Sequence, residues 1–187
     1  MGSTADFRNG LVIKFRDELW QIVDFQHVKP GKGGAFVRTK MKSIKTGRVV
    51  DNTFRSGESV ETIRMEEKKM QYLYQDGAHY VFMDQTTYDQ VHVSAEIIGD
   101  NINYLKENEI CSISFNGDTP LRFELPNFVI AEITETEPSA KGDTVTGGNK
   151  PAKIGTGASV NVPLFINIGD KIRIDTRSGA YMERVKE

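Results

Sequence analysis

The sequence predicts an all-β fold made of small barrels or sandwiches. Three observations support this. Apolar and polar residues alternate over many short runs. Turn-forming residues separate the runs: Asp76-Gly77, Asn116-Gly117-Asp118, Gly169-Asp170 and Ser178-Gly179. Helical periodicity is scarce, with one short helical turn expected over residues 99–105. The 187 residues are 38% hydrophobic and 9% aromatic, enough to build cores.

The first strand-like runs are 11–15, 20–28, 35–44 and 47–54. Within the third, alternation places Arg38, Lys40 and Lys42 on one face and Val37, Thr39 and Met41 on the other. The middle runs are 69–75, 79–84, 90–97, 109–115 and 121–124. Met70, Tyr72 and Tyr74 are expected on one strand face, as core or domain-interface packing or as a base-stacking platform. The acidity of this region favours packing. The last runs are 128–136, 158–162, 171–175 and 181–185. Glu107-Asn108-Glu109-Ile110 and Ile168-Gly169-Asp170-Lys171-Ile172 each open a strand, a loose echo that suggests a shared barrel type.

Two boundaries divide the chain. Charge changes sign near residues 61–66, and Leu125-Pro126-Asn127 interrupts the last third. Three domains result, 1–64, 65–127 and 128–187. Each is small for an independent core, so close packing between domains is expected.

The net charge of −2 argues against a protein that coats nucleic acid with its whole surface. The distribution says more. Residues 1–64 hold 12 basic and 7 acidic side chains, residues 65–128 hold 4 and 11, and residues 129–187 hold 8 and 8. A polyanion would meet the first third and avoid the second. The single cysteine, Cys111, precludes an internal disulfide and fits a reducing cytoplasm. Its place in an alternating run reads as a buried core thiol. No apolar run approaches the ~20 residues of a membrane helix, and no signal-peptide pattern opens the chain. Met1-Gly2-Ser3 reads equally as native sequence or as a cloning remnant.

The most informative stretch is Lys29-Pro30-Gly31-Lys32-Gly33-Gly34-Ala35-Phe36. Pro30-Gly31 makes a turn, because proline presets φ and glycine accepts positive φ. Gly33 and Gly34 strip the other flank of side chains. Lys32 becomes one long cationic arm on a bare loop, either idle in water or reaching into a partner. Arg38, Lys40 and Lys42 lead up to it, and Lys29, Lys45, Arg48 and Arg55 extend the stripe. Phosphate contact and a solvated strand face fit such a stripe about equally well.

A second glycine-rich segment spans residues 142–152 and includes Gly142, Asp143, Thr144, Gly147, Gly148, Asn149 and Lys150. It lacks the Gly-Lys-Ser/Thr ending of a phosphate-binding loop, and no helix pattern follows it. It reads as an ordinary long inter-strand loop, or as one presenting backbone N–H groups and Lys150 to RNA. His27, His79 and His92 are scattered, and no metal-ligand spacing or nucleophile-elbow pattern is present. Neither a catalytic residue, a metal site nor a cofactor is expected.

The residues match a known pattern along essentially the whole chain. The match includes Asp6-Phe7-Arg8-Asn9-Gly10, Gln26-His27-Val28 leading into the Lys32 loop, and Thr53-Phe54-Arg55-Ser56-Gly57-Glu58. It continues through Met70-Gln71-Tyr72-Leu73-Tyr74, Tyr80-Val81-Phe82-Met83-Asp84, Gly142-Asp143-Thr144, Lys150-Pro151-Ala152 and Val162-Pro163-Leu164-Phe165-Ile166. It ends on Gly169-Asp170-Lys171-Ile172, Asp175-Thr176-Arg177, Gly179 and Tyr181. The chain thereby resembles the bacterial translation elongation factor P family.

That resemblance implies a KOW/SH3-like N-terminal barrel and two OB-type barrels in an L-shaped, tRNA-like arrangement. It implies a monomeric, non-enzymatic cytoplasmic factor without a cofactor. Such a factor binds the 70S ribosome between the peptidyl and exit sites beside peptidyl-tRNA. It relieves stalling at consecutive prolines. Lys32, supported by Pro30, Gly31, Gly33 and Gly34, corresponds to the tip residue near the tRNA CCA end. Lys29, Arg38, Lys40 and Lys42 would meet the tRNA backbone. The tip lysine of many members is extended by a modifying enzyme with a β-lysyl or aminopentanol group. Members with arginine there are rhamnosylated, so Lys32 argues against that branch. Residues 142–150 resemble the codon-side loop facing the small subunit, and Tyr181 and Arg184 a C-terminal ribosome contact. The alternatives are an elongation-factor-P-like paralogue, disfavoured by the Pro-Gly-Lys-Gly tip, and a generic RNA- or protein-binding β module not tied to the ribosome.

Overall fold

Side chains that alternate between core and solvent generate three sheets. The structure is a computed structural model and describes residues 1–138 and 148–185. The first sheet contains β1 (Gly2–Ser3), β2 (Val12–Phe15), β3 (Glu18–Val28), β4 (Phe36–Ser43), β5 (Val49–Arg55) and β6 (Ser59–Ile63). Its spatial order is β1-β6-β2-β3-β4-β5, with every neighbour antiparallel. The second contains β7 (Glu66–Asp76), β8 (His79–Asp84), β9 (Gln90–Ser94), β10 (Ile110–Asn116) and β11 (Thr119–Glu124), ordered β11-β10-β7-β8-β9. The third contains β12 (Phe128–Thr136), β13 (Asn149–Ile154), β14 (Ser159–Pro163), β15 (Lys171–Asp175) and β16 (Ala180–Arg184), ordered β14-β13-β12-β15-β16. The chain divides into two compact units, Met1–Glu67 with Ser114–Arg122, and Lys68–Ile113 with Phe123–Glu187.

The N-terminal core is aromatic-rich. Phe7, Ile13, Trp20, Ile22, Val37, Met41, Phe54 and Val60 are buried together. Phe54 takes Phe7 and Phe15 edge-to-face at 5.4 and 5.3 Å, the geometry that the ring quadrupole favours. The Trp20 indole N–H donates to the Phe15 carbonyl at 3.2 Å, so its polar end is satisfied. In the third sheet Val129, Ile133, Ile154, Val162, Ile166, Ile172 and Ile174 form an aliphatic core. Burying each such side chain contributes about 1.5–3 kcal/mol of transfer free energy.

Four expectations need correction. The strand expected over 90–97 ends at Ser94, and Ala95–Ile98 forms a single helical turn, α1. Ile98 is fully buried, and Gly99 at φ +59° caps the turn. Tyr74 does not share the face of Met70 and Tyr72. A β-bulge between Tyr72 and Tyr74 resets the alternation, leaving Tyr74 48% exposed. The short strands β1 and β6 were not anticipated. Nor was β13, whose Pro151 argues against a central strand. Pro151 is tolerated because β12 pairs only as far as Ala152, so Pro151 is paired with Asn161 of β14 alone.

The β15–β16 turn is held by charge. Arg177 donates from Nε, Nη2 and its backbone N–H to the Asp175 carboxylate at 3.0, 2.6 and 3.0 Å. These bonds, the Arg177 side chain foremost, hold the Asp175 carboxyl at about 2, below its ordinary 3.8. A carboxylate whose pKa is depressed on folding stabilises the fold at neutral pH and loses that contribution on protonation. The stability difference between the wild type and Asp175→Asn is therefore expected to be full above about pH 4 and to shrink as pH falls towards 2. Urea unfolding over that range measures it. A second prediction concerns Thr39. It is 2% exposed, and its hydroxyl is the one buried side-chain polar atom among the described residues without a hydrogen-bond partner. Thr39→Val keeps the shape and removes that unmet hydroxyl, and is expected to raise the unfolding free energy by about 1 kcal/mol in the same assay.

Candidate functional site

The tip loop is built by two strands that stop abruptly. β3 ends at Val28 and β4 begins at Phe36. The backbone N–H of Ser56 donates to the Ala35 carbonyl at 3.0 Å and pins the returning arm. Between them Lys29, Pro30, Gly31, Lys32, Gly33 and Gly34 are all exposed. Gly33 has φ +107°, a conformation that needs glycine. At Gly31 and Gly34 no atom lies within 4 Å of where a Cβ would stand. Packing within the protein therefore does not require glycine at either position. Lys32 sits at the apex in solvent.

The strand leading from the loop carries its charges on one face, as expected. Arg38 and Lys40 are exposed and Lys42 is half-buried, while Val37, Thr39 and Met41 are buried. Arg38 lies over the Phe36 ring at 5.6 Å, which holds the guanidinium beside the loop. Strand pairing adds what alternation cannot show. Lys40 is in register with Asp24 on β3 and Asp51 on β5. The face is therefore a cationic row with carboxylates at its centre. A shallow cleft of about 370 Å³ runs here between Gln26, Arg38, Lys40 and Thr53. Sequence reasoning missed Asp24 and Asp51. A β-bulge between Ile22 and Asp24 sets the register that brings Asp24 opposite Lys40.

The other expected site residues lie in the third sheet. Gly142, Asp143, Thr144 and Gly147 fall outside the described residues. Gly148 precedes β13, and Asn149 is exposed at its start. Lys150 is 5% exposed, and its ammonium donates to the Glu137 carbonyl at 2.7 Å. It ties the end of β12 to β13 rather than standing in solvent. Tyr181 is half-buried against the aliphatic core. Arg184 pairs with Asp170 at 3.3 Å.

The described residues offer little for covalent chemistry. Burial, reinforced by the Glu109 carboxylate, pushes the Cys111 thiol up to about 12, so no thiolate forms near neutral pH. No three His, Cys, Asp or Glu side chains among the described residues are grouped to hold a metal ion.

Family models match three consecutive segments. They are the "Elongation factor P (EF-P) KOW-like domain" over residues 3–60, the "Elongation factor P (EF-P) OB domain" over 65–123 and "Elongation factor P, C-terminal" over 129–184. The Elongation factor P of Pelotomaculum thermopropionicum is 53% identical over 186 residues, covering 99% of this chain and all of the relative. That of Rippkaea orientalis is 53% identical over 184 residues, covering 98% and 100%. That of Rhodococcus erythropolis is 51% identical over 185 residues, covering 99% of each. Among solved structures, eukaryotic translation initiation factor 5A from Methanococcus jannaschii is similar at a TM-score of 0.47 and 20% identity, covering 66% of this chain and 98% of that one.

Because Lys32 touches nothing that holds the barrel together, its loss should leave the fold intact. Lys32→Ala is expected to change the unfolding free energy by no more than about 0.5 kcal/mol, as measured by urea unfolding.

Proposed function

The chain belongs to the elongation factor P family of translation elongation factors, which are not enzymes; from that membership and its exposed tip we propose that it binds the ribosome between the peptidyl and exit sites, beside peptidyl-tRNA, and stimulates peptide-bond formation at consecutive prolines. The observation that carries this reading is Lys32, exposed and flanked by Gly31 and Gly33 on a loop whose residues are all exposed. A lysine so placed is built to enter a narrow space. It reaches the CCA end of the tRNA, where its ammonium donates hydrogen bonds to backbone oxygens.

Proline is a constrained nucleophile, so the reacting amine and ester must be held in place. Full orientation of two reactants recovers up to about 7–11 kcal/mol of barrier, and a positioning factor needs only a small part of that. The protein itself makes and breaks no bond. Arg38, Lys42 and Lys29 meet the tRNA phosphates. The carboxylates flanking Lys40 confine that contact to the two ends of the row. A modifying enzyme that extends Lys32 would lengthen its reach and add donors.

The three domains, 1–64, 65–127 and 128–187, divide the work. The N-terminal domain serves the tRNA end. The third serves the small subunit through the segment beginning at Gly142 and through Tyr181 and Arg184. Lys150, on β13, holds the Glu137 carbonyl beyond the end of β12. The factor acts in the cytoplasm as a monomer. Among the described residues no helix is long and apolar enough to cross a membrane.

The test is a cell-free translation system lacking the factor, programmed with a reporter containing three consecutive prolines and a proline-free control. The wild type from its own host is expected to restore the proline reporter alone, and Lys32→Ala to fail while remaining folded. If folded wild-type protein leaves the proline reporter unchanged, the reading falls. A paralogue or a ribosome-independent RNA-binding module then becomes the better account.

A further inference from the structure

Lys68–Ile113, which carries β8, β9 and most of β7, lies in one compact unit with Phe123–Glu187, which carries the third sheet, and the segment that reaches from the one to the other is well tied. Residues 95–106 leave the second sheet through α1 and a 3-10 turn spanning Gly99–Tyr104. Ile98 and Leu105, 1% and 6% exposed, anchor the two ends of this segment by burial. The Asn101 side chain donates to the Ile98 carbonyl at 2.9 Å and locks the turn between them. Tyr104 points the other way. Its ring packs against the aliphatic core of the third sheet. Its hydroxyl fills the space over Gly179 so closely that a methyl group built there would overlap it.

Three further ties surround this contact. The Thr156 hydroxyl donates to the Asn103 carbonyl at 2.5 Å. The Lys106 ammonium donates to the Ile130 carbonyl at 2.9 Å while lying 3.5 Å from the Glu109 carboxylate. The linker is pinned as well, because Thr176 donates from its hydroxyl to the Pro126 carbonyl at 2.7 Å and from its N–H to the Asn127 carbonyl at 3.0 Å. An aromatic ring packed against a neighbouring core and flanked by hydrogen bonds to main-chain carbonyls resists both bending and twisting. A hinge meant to swing has few such contacts.

We propose that Tyr104, seated on Gly179, is a positioning residue that locks the second and third domains into one rigid arm, so that contacts made by the third domain help to place the rest of the factor on its partner. This rests on the proposed ribosomal role. A partner gripped at two separated places is held best when the connection between them is stiff. A loose joint must be ordered on binding, and it dilutes the effective concentration of the second contact.

Two readouts test the proposal, and the first needs no ribosome. NMR relaxation of the full chain reports whether the two domains tumble together. In Tyr104→Ala they are expected to tumble independently, and in Tyr104→Phe, which keeps the ring, as one body. In the proline reporter, Tyr104→Ala is expected to raise the half-saturating factor concentration roughly tenfold or more without lowering the plateau. Tyr104→Phe is expected to restore the wild-type value. Lys32 is untouched in both variants, so a fall in plateau at unchanged half-saturation would overturn the proposal. So would joint tumbling of a folded Tyr104→Ala protein. Should Tyr104→Ala unfold the third domain, the exposed Thr156→Val variant carries the test, with looser tumbling and a smaller rise in half-saturation expected, and no change in either overturning the proposal. If wild-type protein fails to rescue the reporter at all, the ribosomal reading fails, and the lock stands or falls on tumbling alone.

Discussion

A sheet of five or six short strands built from about sixty residues buries little more than half of the surface its unfolded chain exposes. That scarcity of core shapes the molecule. The N-terminal sheet answers it with rings, packing Phe7, Phe15, Phe25 and Phe54 edge-to-face so that few residues fill much volume. The third sheet answers it with isoleucines and valines and takes in Tyr104 from the preceding segment. A small core that accepts a neighbour's ring gains burial and a fixed orientation from the same contact.

The aromatic core also explains how a loop can be left bare. Residues 29–34 contribute nothing to packing, so β3 and β4 must be stable without them. Their long antiparallel register, from Trp20 opposite Ser43 to Val28 opposite Phe36, provides that support. The loop is then free to be shaped for its partner alone. Lys40 illustrates a second economy. By lying between Asp24 and Asp51 it stays soluble and oriented without adding to self-repulsion, and the uncompensated charge is left nearer the loop at Arg38 and beyond it at Lys42.

Much of this was legible in the residue order, and the failures share a physical cause. The strands at 128–136 and 171–175 carry alternation and the strand at 79–84 a short apolar run, each bounded by turn residues, and they occur with those limits. The alternating face of β4 was legible for the same reason. Alternation assumes an unbroken register, however, and the bulge before Tyr74 adds one residue that no local pattern announces. β1 has two residues, too few for any period to show, and exists because β6 offers an edge. β13 was hidden by its proline and by the glycines before it, since its pairing depends on where a distant strand stops. Lys150 was legible as a cation near a glycine-rich segment, but its burial against the Glu137 carbonyl depends on strand geometry. The Tyr104 seat left one faint trace, a glycine at 179, which the turn's positive φ already accounts for.

The state of Cys111 reaches beyond the fold. Cys111 is 1% exposed and its thiol is pushed up to about 12, so a thiol-reactive dye at neutral pH meets a chain that behaves as if it had no cysteine. A cysteine introduced at any exposed position would react alone, without first removing the native one and disturbing the core around it. The protein is thus already suited to carrying a pair of fluorophores or spin labels. The distance between two of its domains could be followed in single molecules on the native background.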